Sequence, residues 1–105
     1  MLYLETDKRF QGIGEATGGL NTQPIVAEIN EIKHLLLGKD PRKIHEIYQN
    51  LFLLTYLNIS KALAGIETAC WDILAQTLKV PLYSLLGGKI RDQVRVYANG
   101  VVLRR

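Results

Sequence analysis

The spacing of apolar residues changes several times along the chain, and each change predicts a different element. In residues 1–16, Leu2 and Leu4 alternate with Tyr3 and Glu5, Thr6-Asp7-Lys8-Arg9 is polar, and Phe10 to Ile13 returns with Gly12 and Gly14 around Ile13. Period-two alternation on both sides of a polar turn predicts a β-hairpin. Two strands alone are marginal in water, so a third strand or a helical face has to support them. From Ile25 the spacing becomes 4, 3 and 4 through Ile29, Ile32 and Leu36. That is one apolar face of a helix, with Thr22 as its N-cap, Pro24 in its first turn and Gly38 as its stop. Asp40-Pro41 reads as the N-cap and first residue of a second helix, which carries Ile44, Ile47, Tyr48, Leu51 and Leu54 on one side. The short connection predicts an antiparallel pair.

Residues 60–88 form the stretch around which the rest is expected to pack. Ser60 caps a long Ala-rich helix on which Ala62, Leu63, Ile66, Ala69, Cys70, Ile73, Leu74 and Leu78 cover more than half the circumference. Gly65 costs about 1 kcal/mol relative to Ala in mid-helix, which suggests that another backbone comes close there. Pro81 marks a joint, a short helical segment follows, and Gly87-Gly88 stops it. Beyond, Val94, Val96 and Ala98 alternate with Arg95, Tyr97 and Asn99, and Val101, Val102 and Leu103 follow Gly100, a strand pattern. The expected fold class is α+β: an N-terminal β-hairpin, a three-helix bundle, then one strand.

Composition narrows the class of protein. At 105 residues, 48% hydrophobic and 22% charged, the chain can bury a modest core as one domain or part of one. The formal net charge of +3 is unevenly spread. Residues 1–88 carry 8 Lys/Arg against 9 Asp/Glu, whereas Lys89, Arg91, Arg95, Arg104 and Arg105 face Asp92 alone. A short basic tail with no stacking aromatic besides Tyr97 argues against a nucleic-acid partner. No apolar run is long enough to span a bilayer, and the N-terminus lacks a signal-peptide pattern. The single cysteine, Cys70, excludes an intrachain disulfide framework and fits a cytoplasmic location.

Candidate chemistry is sparse. Gly12-Ile13-Gly14-Glu15 lacks the GxGxxG spacing and the lysine of a phosphate loop, so it reads as turn chemistry. His34 and His45 fall in different predicted helices, apart from Cys70, and form no set of converging metal ligands. Cys70 beside Trp71 reads as a small buried hydrophobe. Glu67 and Asp72 lie five apart, about 140° around the helix, and cannot both face one substrate. Each is expected to cap a neighbouring backbone group or to pair with a cation such as Arg91. Glu15, at a strand end beside glycines, is the most site-like acid.

Five segments in order carry a resemblance: Gly12-Ile13-Gly14-Glu15-Ala16, Leu37-Gly38-Lys39-Asp40-Pro41, Ala64-Gly65-Ile66-Glu67-Thr68-Ala69-Cys70-Trp71-Asp72-Ile73, Leu85-Leu86-Gly87-Gly88-Lys89-Ile90-Arg91-Asp92 and Val94-Arg95-Val96-Tyr97-Ala98-Asn99-Gly100. Together they resemble the amino-terminal capping domain of the mandelate racemase/muconate lactonizing branch of the enolase superfamily, and within it sugar-acid dehydratases of the gluconate or galactonate type. The resemblance implies a capping domain over residues 1–92, lacking its first strand, and over residues 93–105 a stub of the first strand of a (β/α) barrel. In that family the barrel holds Mg²⁺ and the bases that remove a proton α to a carboxylate, and the cap supplies substrate-selecting loops. None of those ligands or bases maps onto this chain, so no catalytic residue, metal ligand or cofactor is assigned to it. Tyr97 and Asn99, near the active-site end of the would-be barrel strand, join Glu15 as substrate-proximal candidates.

The expected function is therefore that of a capping, substrate-specificity domain of an acid-sugar dehydratase, inactive by itself. The alternative is a stand-alone oligomerisation or interaction module derived from that domain. The expected partner is a second copy, forming a homodimer, or a missing barrel domain.

Overall fold

The computed structural model describes residues 1–17, 21–54 and 60–97. The hairpin forms as its alternation predicts. Strand β1 (Leu2–Glu5) pairs antiparallel with β2 (Gln11–Gly14), setting Leu2 opposite Gly14 and Glu5 opposite Gln11. Thr6 closes the turn twice over. Its carbonyl accepts the Arg9 N–H and its hydroxyl accepts the Phe10 N–H, each at 3.0 Å. Arg9 takes the left-handed conformation (φ 63°), as tight hairpin loops require of their last residue.

Helix α1 (Gln23–Ile32) continues as a 3-10 turn (Lys33–Leu35), and Gly38 (φ 76°) ends that segment. Its start differs from expectation. Thr22 occupies the cap position with helical dihedrals, and its hydroxyl caps nothing; Asn21 Oδ1 instead accepts the Gln23 N–H at 3.2 Å. Asp40-Pro41 also departs from expectation. It forms a turn in which Asp40 Oδ1 accepts the Arg42 N–H at 3.0 Å and the Asp40 carbonyl accepts that of Lys43, so α2 (Ile44–Leu54) starts three residues later. The aspartate side chain is satisfied locally and leaves the helix to begin where the apolar face begins.

Helix α3 (Lys61–Leu78) is capped as expected: Ser60 Oγ accepts the Leu63 N–H at 3.0 Å. At its other end Lys79 adopts the left-handed conformation (φ 56°) and its N–H reaches back to the carbonyls of Ala75 and Gln76. Pro81 then precedes the single-turn α4 (Leu82–Leu85). Residues 94–97 pair with no strand among the described residues, and residues 98–105 of the expected barrel strand lie outside them.

The core gathers on α3. Ala62, Leu63, Ile66, Ala69, Cys70 and Ile73 are fully buried, joined by Leu51 and Ile47 of α2, Ile32 of α1 and Leu2 of β1. Leu54 and Leu78, expected on apolar faces, are more than half exposed.

The most extensive contact in the fold is that of β2 with α3. It is made backbone to backbone. A Cβ added at Gly14 would collide with the Gly65 carbonyl, and one at Gly12 with the Ala69 carbonyl. A Cβ at Gly65 would in turn lie 3.0 Å from the Ala16 Cβ and 3.2 Å from the Glu15 carbonyl carbon. Gly65 is thus the point of close approach that its position in a helix interior suggests. Gly14→Ala is expected to destabilise the fold by about 2–3 kcal/mol or more, because the obstructing atoms are backbone and cannot rotate away. Urea titration measures this directly, and an unchanged midpoint would contradict the contact.

Candidate functional site

The strand β2 carries the chain over Gly65 and delivers Glu15 to the edge of the domain. Glycine at positions 12, 14 and 65 leaves nothing between strand and helix, so the path of this segment follows the helix surface. Two side chains of α3 hold it there. Asp72 Oδ2 accepts the Ile13 N–H at 2.9 Å, and Gln76 Nε2 donates to the Gln11 carbonyl at 2.8 Å. Asp72 therefore caps a neighbouring backbone group, one of its two expected roles. Glu67 lies within 3.4 Å of the Trp71 indole nitrogen, one turn along the same helix.

The pairing of Asp72 and Gln76 with alternate residues of β2 was not foreseen from sequence, although its signal is present. Four helical residues rise about 6 Å, and two strand residues rise about 6.6 Å. Side chains at i and i+4 of a helix can therefore serve every second backbone group of a strand lying along it. Gly65 and Ala69, also four apart, meet Gly14 and Gly12, two apart, by the same match.

The three candidate residues fare differently. Glu15 is exposed at the end of β2, and its carboxylate accepts a hydrogen bond from the Thr17 hydroxyl at 2.6 Å. Tyr97 is 87% exposed, and no hydrogen bond or ion pair joins it to Glu15 among the described residues. Asn99 lies outside the described residues. His34 and His45 are both exposed and in separate elements. Among the described residues, no three His, Cys, Asp or Glu side chains converge as metal ligands, so these residues do not fit a Mg²⁺ site.

A second concave feature lies between the hairpin and the turn that precedes α2. This groove, of about 680 Å³, has Leu4, Phe10, Leu36, Pro41, Cys70 and Ile73 among its lining residues. Asp40 and Arg42 also contribute, but they neutralise each other through a 2.7 Å contact between Arg42 Nη2 and Asp40 Oδ2. Hydrogen bonds from the Arg42 side chain and backbone hold the Asp40 carboxyl down at about 2. Burial, followed by the charge of Glu67, pushes the Cys70 thiol up to about 11. Nothing in this arrangement supplies a general acid and base in mutual reach, or an activated nucleophile. No helix among the described residues is long and apolar enough to cross a membrane.

Residues 1–87 match the family described as mandelate racemase / muconate lactonizing enzyme, N-terminal domain. D-Galactonate dehydratase of Variovorax paradoxus is 36% identical over 101 residues, covering 92% of this chain and 26% of the relative. D-Gluconate dehydratase of Thermoproteus tenax is 44% identical over 92 residues, covering 83% of this chain and 18% of the relative. Among solved structures, an enolase of Agrobacterium radiobacter superposes with a TM-score of 0.79 at 28% identity, covering 90% of this chain and 25% of that one. Its description proposes galactarate dehydratase activity and records bound sodium and L-malate. The chain thus spans about a quarter or less of the length of these relatives.

The raised thiol gives a pH signature. Between its usual value of 9.0 and about 11, Cys70 ionises in the unfolded chain but not in the folded one. The unfolded state then binds fewer protons, so stability is fully present below pH 9 and falls as pH rises through this window. Thermal melts between pH 8 and 11 should show that loss for wild type and a smaller one for Cys70→Ala. Equal losses would mean that the thiol is not the group responsible.

Proposed function

Because the chain belongs to the mandelate racemase / muconate lactonizing enzyme N-terminal domain family of the enolase superfamily, we propose that it acts as the capping domain of a sugar-acid dehydratase. The observation that carries this reading is the likeness to galactonate and gluconate dehydratases over 83–92% of the chain. In the whole enzyme, removal of the proton α to the carboxylate and the Mg²⁺ that assists it are work for a barrel domain. The part given to this chain is selection, with Glu15 after β2, Tyr97 and Asn99 as the residues assigned to substrate contact.

One feature of the chain supports the division of labour. Apolar side chains from the end of α3 onwards are left uncovered. Leu78, Leu86, Ile90, Val94 and Val96 are 55–91% exposed. A barrel docked against this end would cover them. A cytoplasmic location belongs to the same reading, supported by the free thiol of Cys70.

The test exchanges domains. Residues 1–92 replace the matching segment of the Thermoproteus tenax D-gluconate dehydratase, and Mg²⁺-dependent dehydration is measured on a panel of sugar acids. A folded chimera is expected to keep dehydratase activity with altered relative KM values. Turnover of the same acids by the 105-residue chain alone would contradict the proposal, as would a folded chimera with no activity on any of them.

A further inference from the structure

Glu15 follows directly on β2, so its place is set by whatever fixes the end of that strand. Ile13 has a glycine on either side, and glycine is the residue whose backbone turns most freely. The Ile13 side chain is 45% exposed and anchors the strand weakly. Stiffness has to come from the neighbours, β1 along one edge and α3 along the other. From α3, Asp72 Oδ2 accepts the Ile13 N–H at 2.9 Å, two residues before Glu15. The Glu15 backbone then settles on the same helix, where a Cβ added at Gly65 would lie 3.2 Å from its carbonyl carbon and oxygen. Its carboxylate is aimed as well as placed, because the Thr17 hydroxyl donates to Oε1 at 2.6 Å.

We propose that Asp72 is a positioning residue for substrate selection: by holding the Ile13 N–H it fixes where the Glu15 carboxylate stands. This rests on the capping role and deepens it. Asp72 acts on no substrate atom, and its effect passes through the backbone from Ile13 to Glu15. The base from which it acts is firm. Asp72 sits within the 18-residue α3, beside the fully buried Ala69, Cys70 and Ile73, so its carboxylate is carried by the core of the fold. A hydrogen bond from Glu15 to a substrate is lost within about an ångström of displacement, so a small slackening of β2 is felt in binding.

The chemistry of the bond says which replacements keep it. Asp72 supplies only an acceptor, so the amide oxygen of an asparagine can take its place. Alanine supplies none. Glutamate keeps the acceptor but carries it one methylene further, which moves the strand rather than releasing it. The Gln76 bond to the Gln11 carbonyl lies two residues further from Glu15 and secures the start of β2 instead.

Steady-state kinetics of the domain-exchanged dehydratase test this. Glu15→Ala and Asp72→Ala should each raise KM about tenfold with kcat within about twofold of wild type. Asp72→Asn should restore the wild-type KM. The double variant Glu15→Ala/Asp72→Ala should be no worse than Glu15→Ala, because Asp72 works only through Glu15. Asp72→Glu should also raise KM, and it keeps the test valid should the alanine variant fail to fold. A merely structural Asp72 would lower the apparent kcat by depleting folded enzyme, leave KM alone and add its effect to that of Glu15→Ala; that pattern would overturn the proposal. So would an unchanged KM in Glu15→Ala. Nuclear relaxation of the 105-residue chain gives a readout independent of activity. The Glu15 amide should have an order parameter of about 0.85, falling below about 0.6 in Asp72→Ala and recovering in Asp72→Asn. A Glu15 amide equally rigid in Asp72→Ala would overturn the positioning and leave the capping role standing, whereas a folded but inactive chimera would overturn both.

Discussion

Everything in this domain depends on how closely a strand can approach a helix. Gly12 and Gly14 of β2 lie against the carbonyls of Ala69 and Gly65, with no side chain between. The match of strand and helix rise lets the contact repeat along both elements, and Asp72 and Gln76 use the same match to satisfy backbone groups that a third strand would otherwise take. The helix thus does for β2 what a neighbouring strand usually does. Ordinarily a two-stranded sheet is marginal, and this one is built into the most extensive contact of the fold.

That contact has consequences in two directions. Forward along the chain, it fixes where β2 ends and hence where Glu15 emerges, because Glu15 and Ala16 themselves pack on Gly65. A cap that selects substrate through its loops needs those loops to leave from a defined point, and a backbone-to-backbone contact defines it more tightly than interdigitated side chains could. Sideways, it sets α3 along the outer edge of β2, where Asp72 and Gln76 bond the Ile13 N–H and the Gln11 carbonyl.

Much of this was legible in the chain. The hairpin, the Ser60 cap and the close approach at Gly65 follow from alternation, capping chemistry and the cost of glycine in a helix. The start of α2 was misplaced because Asp40-Pro41 carries the signature of both a turn and a helix cap, and Arg42 decides for the turn by binding the aspartate. Asn21 took the capping role expected of Thr22 for a similar reason: neighbouring residues competed for one orphan amide, and local dihedrals chose between them. Leu54 and Leu78 fit the periodicity of their helices, but periodicity does not say which side of a helix its neighbours cover. For the candidate site, Glu15 could be singled out by its place at a strand end. The roles of Asp72 and Gln76 could not, since they require knowing which strand lies along which helix.

The central claim is that side chains of α3, not another strand, bond the Ile13 N–H and the Gln11 carbonyl on the outer edge of β2. Amide hydrogen exchange tests it most directly. The Ile13 N–H, bound to Asp72, should exchange slowly, on the scale of the buried amides of α3, while the outward amides of Tyr3 and Glu5 exchange fast. An Ile13 amide that exchanges as fast as those of Tyr3 and Glu5 would contradict the account.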